Sequence, residues 1–322
     1  MSRSWLLIAA LAVAGVARQD APPTFVTQVY GPGEDGLDRV SQLARSPDGH
    51  VFAADAYRGR VVIYGVNGYP RAKFSTAGNG TDSLEVPTGV AFDAEGNLYV
   101  AEQFAHRISK YGPDLTPLLT FGESGSQPGQ LQYPTNLAFS PDGTTLYVTE
   151  LNGHRVSIFD VEGNLQGTIG GPGPGQEPGE FDHPFGIATD AGGDVFVADQ
   201  GNNRIQRFTA AGEYVGEVGT PGDGPGEFNA VVGLGFDAAG NLYATDQLNN
   251  RVQKFHHDGT FAVQWGTGGT SDGEFRNPWC VLVVSPNRVW VGDTYNQRIS
   301  VFDPSGKRAT PRRKPPVTDP YR

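Results

Sequence analysis

One pattern recurs six times along the 322 residues: an acid, four variable residues, Arg, and an aromatic four positions later. The six copies are Asp55/Arg60/Tyr64, Glu102/Arg107/Tyr111, Glu150/Arg155/Phe159, Asp199/Arg204/Phe208, Asp246/Arg251/Phe255 and Asp293/Arg298/Phe302. Successive arginines are 47, 48, 49, 47 and 47 residues apart. A fixed period in this range specifies a solenoid, a propeller or an array. It also sorts the residues. Whatever recurs in all six copies belongs to the scaffold, and departures from the pattern are where a site is to be sought.

One copy reads as four short strands. In the fourth, Pro184–Asp190, Asp194–Asp199, Arg204–Phe208 and Glu213–Gly219 are short runs separated by Gly, Asp and Asn turns. Four strands per repeat at this period describe a propeller blade. No helical period is sustained outside the N-terminal apolar run. The first strand carries a branched residue followed by a tiny one: Leu43-Ala44, Val90-Ala91, Leu137-Ala138, Ile187-Ala188 and Leu234-Gly235, with Val281-Leu282 departing. Alternation puts the two on opposite faces, so the large face of one blade fits the small face of the next. The sixth copy lacks its fourth strand, and Thr24–Gly31 resembles the missing one. The expected fold is therefore all-β: a six-bladed propeller of four-stranded antiparallel blades, closed by the N-terminal strand joining the last blade. Closure of that kind removes two open sheet edges.

These residues resemble the NHL-repeat family over about 24–303. The resemblance rests on Pro-x-Gly-Ile-Ala (184–188), Gly-Asn-Leu-Tyr-Val-Ala-Glu (96–102) and Asn-Asn-Arg-Ile-Gln-Arg-Phe (202–208). It implies a six-bladed propeller. It does not imply one function, because the family includes sensors, scaffolds, RNA binders and a few enzymes.

The ends differ from the repeats. Arg3, the apolar run Trp5–Ala14 and the small-x-small Gly15-Val16-Ala17 form a signal-peptide pattern over residues 1–17, predicting a secreted or periplasmic protein with no stable membrane span after cleavage. Residues 304–322 read as a basic, Pro-rich disordered tail. The single cysteine, Cys280, sits in an apolar strand and is expected to be buried and inert, so packing alone must hold an exported fold. The net charge of −11 argues against nucleic-acid partners.

Loops joining strands two and three share an edge with the blade-to-blade connections, so one face of the disc is elaborated. Two residues after each acid come Tyr57, Phe104, Asn152, Gly201, Leu248 and Tyr295, which predicts an arc of exposed apolar groups over contiguous blades. The residues after the Pro position are Ser41, Thr88, Thr135, Phe185, Val232 and Trp279. They are expected near the axis, either accepting an amphipathic ligand or filling the channel mouth. The acid–Arg pairs occur in every copy and read as a structural ladder. His106 and His154 read as loop polar groups, and His183 alone makes no zinc site. Tyr57, Arg58, Phe104, Tyr133, His183, Phe185, Trp279 and Tyr295 are thus the candidate contacts for a protein, peptide or glycan. A non-catalytic monomeric binding or scaffold module with no cofactor and no metal is the expected function. The alternative is a metal-dependent lyase or lactone hydrolase with a tunnel site, for which Gln42, Asn136 and His183 are the polar candidates.

Overall fold

The computed structural model describes residues 20–32, 36–65, 67–75 and 84–305. The leader expected over residues 1–17 and the tail beyond Ser305 lie outside these. Each blade is a four-stranded antiparallel meander. Blade one comprises Val40–Arg45, Val51–Asp55, Arg60–Tyr64 and Pro70–Phe74. Blade four, read from sequence as the type copy, comprises Pro184–Thr189, Val195–Asp199, Arg204–Phe208 and Tyr214–Val218. The six innermost strands touch one another in a closed ring, blade one meeting both blade two and blade six. There is no α-helix among the described residues, only one-turn 3₁₀ segments at Ala56–Arg58 and Thr294–Asn296.

The ring closes as the repeat count requires. Thr24–Val29 pairs antiparallel with Arg298–Asp303, with Val29 opposite Ile299 and Phe25 opposite Phe302. It supplies the outer strand of blade six, whose other strands are Pro278–Ser285 and Arg288–Asp293. Just upstream, Asp20 accepts a 2.9 Å ion-pair contact from Lys254, and its backbone N–H donates to the Ala262 carbonyl. The first described residue is thereby tied to blade five.

Six apolar clusters, one per blade boundary, form the core. Ala44 of blade one lies in the cluster of Val90, Ala91 with Leu137, Ala138 with Ile187, and Ala188 with Leu234. This is the large-on-small stacking that alternation predicts. A Cβ on Gly235 would come within 2.9 Å of the Val281 carbonyl oxygen, so even alanine would crowd that boundary. The departure, Leu282, is accommodated at the closing boundary, where it packs against the cluster of Leu43, Trp290 and Cys280.

The blade-to-blade connections carry a second ring of anchors. Leu37, Leu84, Leu131, Phe181, Phe228 and Phe275 are all buried. The Phe181, Phe228 and Phe275 rings lie over Gly170, Gly219 and Gly266, where φ is +81°, +98° and +99°. A Cβ there would sit within 2.4–2.5 Å of the ring, so both conformation and space require glycine. The long Gly-rich loops are therefore pinned segments.

Removing residues 1–30 leaves the Arg298–Asp303 strand as an open edge and uncovers Ile299 and Phe302. We expect a stability loss exceeding about 3 kcal/mol, from apolar burial alone, together with concentration-dependent association. Thermal unfolding combined with light scattering checks both.

Candidate functional site

The geometry of the loop-rich face begins with the acid–Arg pairs. All six acids are fully buried. One carboxylate oxygen accepts the Nε–H of the arginine five residues later, at 2.6–3.0 Å. The other accepts the backbone N–H two residues before the inner strand: Asp38, Glu85, Gln132, Asp182, Asn229 and Arg276, at 2.6–2.9 Å. The guanidinium then reaches the preceding connection. Arg251 donates to the carbonyls of Asp223, Gly224 and Glu227, and Arg298 to those of Thr270, Ser271 and Glu274. The tie of carboxylate, arginine Nε–H and backbone N–H repeats in all six copies with internal partners, so the pairs are the ladder that their recurrence implies. Loss of hydration raises the carboxyls of Asp55, Asp199, Asp246 and Asp293 above the ordinary aspartate range, against the pull of the N–H donors and arginines.

Above the ladder run two rings of left-handed residues. The positions before Arg (Gly59, His106, His154, Asn203, Asn250, Gln297) have φ of 49–57°, and those before the inner strand (Arg39, Val86, Tyr133, His183, Ala230, Asn277) have φ of 51–62°. The first ring staples the second. Asn203 Oδ1 accepts the Ala230 N–H at 2.6 Å, Asn250 Oδ1 that of Asn277 at 2.9 Å, and His106 and His154 Nδ1 those of Tyr133 and His183 at 3.2 Å. His106 and His154 thus fill the place that Asn takes elsewhere.

Two residues after each acid the backbone stays tied, with the N–H groups of Tyr57, Gly201, Leu248 and Tyr295 donating to the carbonyls of Asp38, Asp182, Asn229 and Arg276, while the large side chains project outward. Tyr57, Phe104, Leu248 and Tyr295 are 49–55% exposed. The Arg39 guanidinium lies 3.8 Å from the centroid of Tyr57 and 4.7 Å from that of Trp279. Trp279 packs edge-on to Phe185 at 5.2 Å, and Phe104 to Tyr133 at 5.9 Å. Two polar atoms in this group, Arg39 Nε and Trp279 Nε1, are buried without a hydrogen-bond partner. Arg58 is exposed on its 3₁₀ turn. A cleft of about 540 Å³ opens at the boundary of blades five and six, lined by Asn250, Thr270, Arg276 and Asn277.

Of the two readings of the post-Pro residues, Phe185 and Trp279, from blades four and six, meet as mouth-filling side chains would, while the three hydroxyls are not open to a ligand. Ser41, Thr88, Thr135, Phe185 and Val232 are buried. The hydroxyls do not face the channel. Ser41 donates to the Thr88 carbonyl at 2.8 Å, Thr88 to Pro134 at 3.1 Å, and Thr135 to Phe185 at 3.0 Å. The ladder is irregular just after the first residue of each inner strand, which turns these side chains into the gap between blades. Trp279 alone stays partly exposed, and Phe185 lies beneath it. Of the tunnel candidates, Gln42 is fully engaged: its amide nitrogen donates to the Leu137 carbonyl, and its oxygen accepts the N–H groups of Val90 and Leu137. Asn136 keeps one buried, unpartnered oxygen.

His183 is not solitary. Its ring centroid lies 4.6 Å from that of His154, and Asp182 completes a group of three donors. The sequence reading missed this because the two histidines belong to different blades. The signal was available: residues before Arg and before the next inner strand, about 27 positions apart, face each other at boundary after boundary. Burial and the nearby His183 hold His154 below the usual imidazole range. Cys280 is buried as expected, and desolvation pushes its thiol up to about 12.

Two family models match the chain: the SMP-30/gluconolactonase/LRE-like region over residues 122–229 and the NHL repeat over 275–302. The chain is a six-bladed β-propeller of four-stranded blades, and the NHL-repeat model matches its last repeat. No curated protein matches it in sequence. Among solved structures it is similar to virginiamycin B lyase from Staphylococcus aureus, at 16% identity and TM-score 0.59, covering 84% of this chain and 82% of that one. It is similar to a streptogramin B lyase at 15% identity and TM-score 0.60, covering 87% and 98%. A Bacteroides thetaiotaomicron protein of unknown function is similar at 16% identity and TM-score 0.62, covering 88% and 73%. At such identities the likeness is one of fold.

Replacing Arg251 with Met strands the buried Asp246 carboxylate and removes the donors to residues 223–227. The expected loss is about 3–5 kcal/mol, whereas Arg58→Ala stays within about 0.5 kcal/mol. Chemical denaturation of the two variants tests the division between ladder and surface. In the native protein Cys280 should resist a thiol reagent and react only on unfolding.

Proposed function

We propose that this chain is an exported, non-catalytic binding module that captures a protein, peptide or glycan on its loop-rich face. The observation that carries the reading is the Arg39 guanidinium held between the Tyr57 and Trp279 rings, with its Nε unpaired, inside an arc of half-exposed aromatics. Rings fixed by packing offer apolar contact at little entropic cost, and an arginine held between them offers N–H donors to an anionic group. Arg58 and Arg276 stand exposed on the same face. In a chain of net charge −11 this concentration of arginine favours a ligand with an apolar body and a carboxylate or sulfate. An extracytoplasmic location follows from the leader pattern over residues 1–17, with the folded unit acting as a monomer.

A second reading, a lyase or lactone hydrolase with a metal in the tunnel, is favoured by the lyase folds and by the gluconolactonase-like match. The engagement of Gln42 with blades two and three counts against it.

The Tyr57→Ala/Tyr295→Ala double variant should keep its melting temperature within about 2 °C, as expected for surface positions. It should lose most capture of partner from culture supernatant, or of acidic glycans from an array. Undiminished capture would remove this surface from consideration. Lactone or streptogramin B turnover abolished by Asn136→Ala would favour the enzyme.

A further inference from the structure

The geometry points to a divalent transition-metal site of the zinc class on the loop-rich face at the boundary of blades three and four, built by His154, Asp182 and His183. Among the described residues these three place one donor atom each within 4.8 Å of one another. His183 Nδ1 lies 2.6 Å from Asp182 Oδ1, and His154 Nδ1 lies 3.6 Å from the same oxygen. Zinc bound to nitrogen and oxygen at 2.0–2.2 Å in a tetrahedron separates its donors by roughly 3.3–3.5 Å. One pair already has that spacing, and on binding the His154 Nδ1 lone pair exchanges its 3.2 Å contact with the His183 backbone N–H for the metal. The other reaches it by an opening of under about 1 Å, on the side of His183, whose side chain is 49% exposed. Two imidazoles and one carboxylate suit zinc, nickel or copper and suit calcium or magnesium poorly. Three protein donors leave a fourth position for water or for a donor from the captured ligand.

Two observations set this boundary apart. The same three places read Gly59/Glu85/Val86, His106/Gln132/Tyr133, Asn203/Asn229/Ala230, Asn250/Arg276/Asn277 and Gln297/Asp38/Arg39 at the others. Only here do all three offer metal-binding groups. The residue above Asp182 also differs. Where four blades carry a large apolar tip, this blade has Gly201, and a Cβ there would lie 2.5 Å from Asp182 Oδ2. Its φ is not left-handed, so backbone conformation does not demand glycine. The glycine clears the space that the Asp182 carboxylate occupies.

The test uses tag-free full-length protein titrated with zinc by calorimetry, and with cobalt as a visible-absorption probe of coordination number. One equivalent should bind, with the intense cobalt spectrum of a four-coordinate site. His154→Asn restores the residue that blades four and five use, so the staple to the next strand and the melting temperature are kept. It should nonetheless weaken zinc binding by more than about 100-fold, because loss of a direct ligand exceeds the 10–100-fold typical of outer-shell changes. His183→Ala should do the same, and Gly201→Ala should weaken binding while leaving every ligand in place. The Tyr57→Ala/Tyr295→Ala variant should bind zinc normally. Zinc binding that survives both histidine changes, or that disappears with His256→Ala/His257→Ala, would overturn the assignment. So would the absence of stoichiometric binding in the unaltered protein.

Discussion

The buried carboxylate–guanidinium tie is the interaction on which the elaborated face depends. A carboxylate moved from water to a fully buried position is costly unless its oxygens are bonded. Here each is met by an arginine Nε–H and by a backbone N–H from just before the inner strand of its own blade. One acid therefore joins the second and third strands of a blade, the connection before that blade and the entry to its innermost strand. Arginine suits this role because its fork of donors reaches carboxylate and loop carbonyls together, where lysine would offer a single point charge. The connections that would otherwise be mobile are held from below by the arginine and from within by a buried Leu or Phe.

That rigidity shapes what the face can do. The tips beyond the acids are left exposed on a fixed base, so apolar side chains there lose little freedom when a partner covers them. Differences among blades then become differences of chemistry at matched places. Blades six, one and two carry aromatics with arginine, while the boundary of blades three and four carries histidines with an aspartate. The scaffold is nearly six-fold and the surface is not.

Much of this architecture was legible in the sequence, because period, alternation and a missing strand are properties of the chain itself. The pairing of Thr24–Val29 with the last repeat follows from counting strands, and the packing of Ala91 against Leu137 follows from period-two alternation. What escaped reading depends on local irregularity or on proximity between blades. Ser41, Thr88 and Thr135 looked like channel-facing hydroxyls under strict alternation, and the broken register after the first residue turns them between blades. The buried ring Phe181, Phe228 and Phe275 recurs at the same period as the arginines, so a search of the connections for apolar repeats would have found it. His154 and His183 meet only because a loop of one blade touches the entry to the next.

The central claim is that the ladder fixes these loop ends as firmly as the strands. Native-state amide exchange tests it most directly. The amides of Asp38, Glu85, Gln132, Asp182, Asn229 and Arg276 lie in connections, yet each donates to a buried carboxylate. They should exchange only on global unfolding, with protection matching inner-strand amides such as that of Leu137. Exchange at the rates of unpaired loop amides would contradict the account, since the carboxylates would then not be holding the face together.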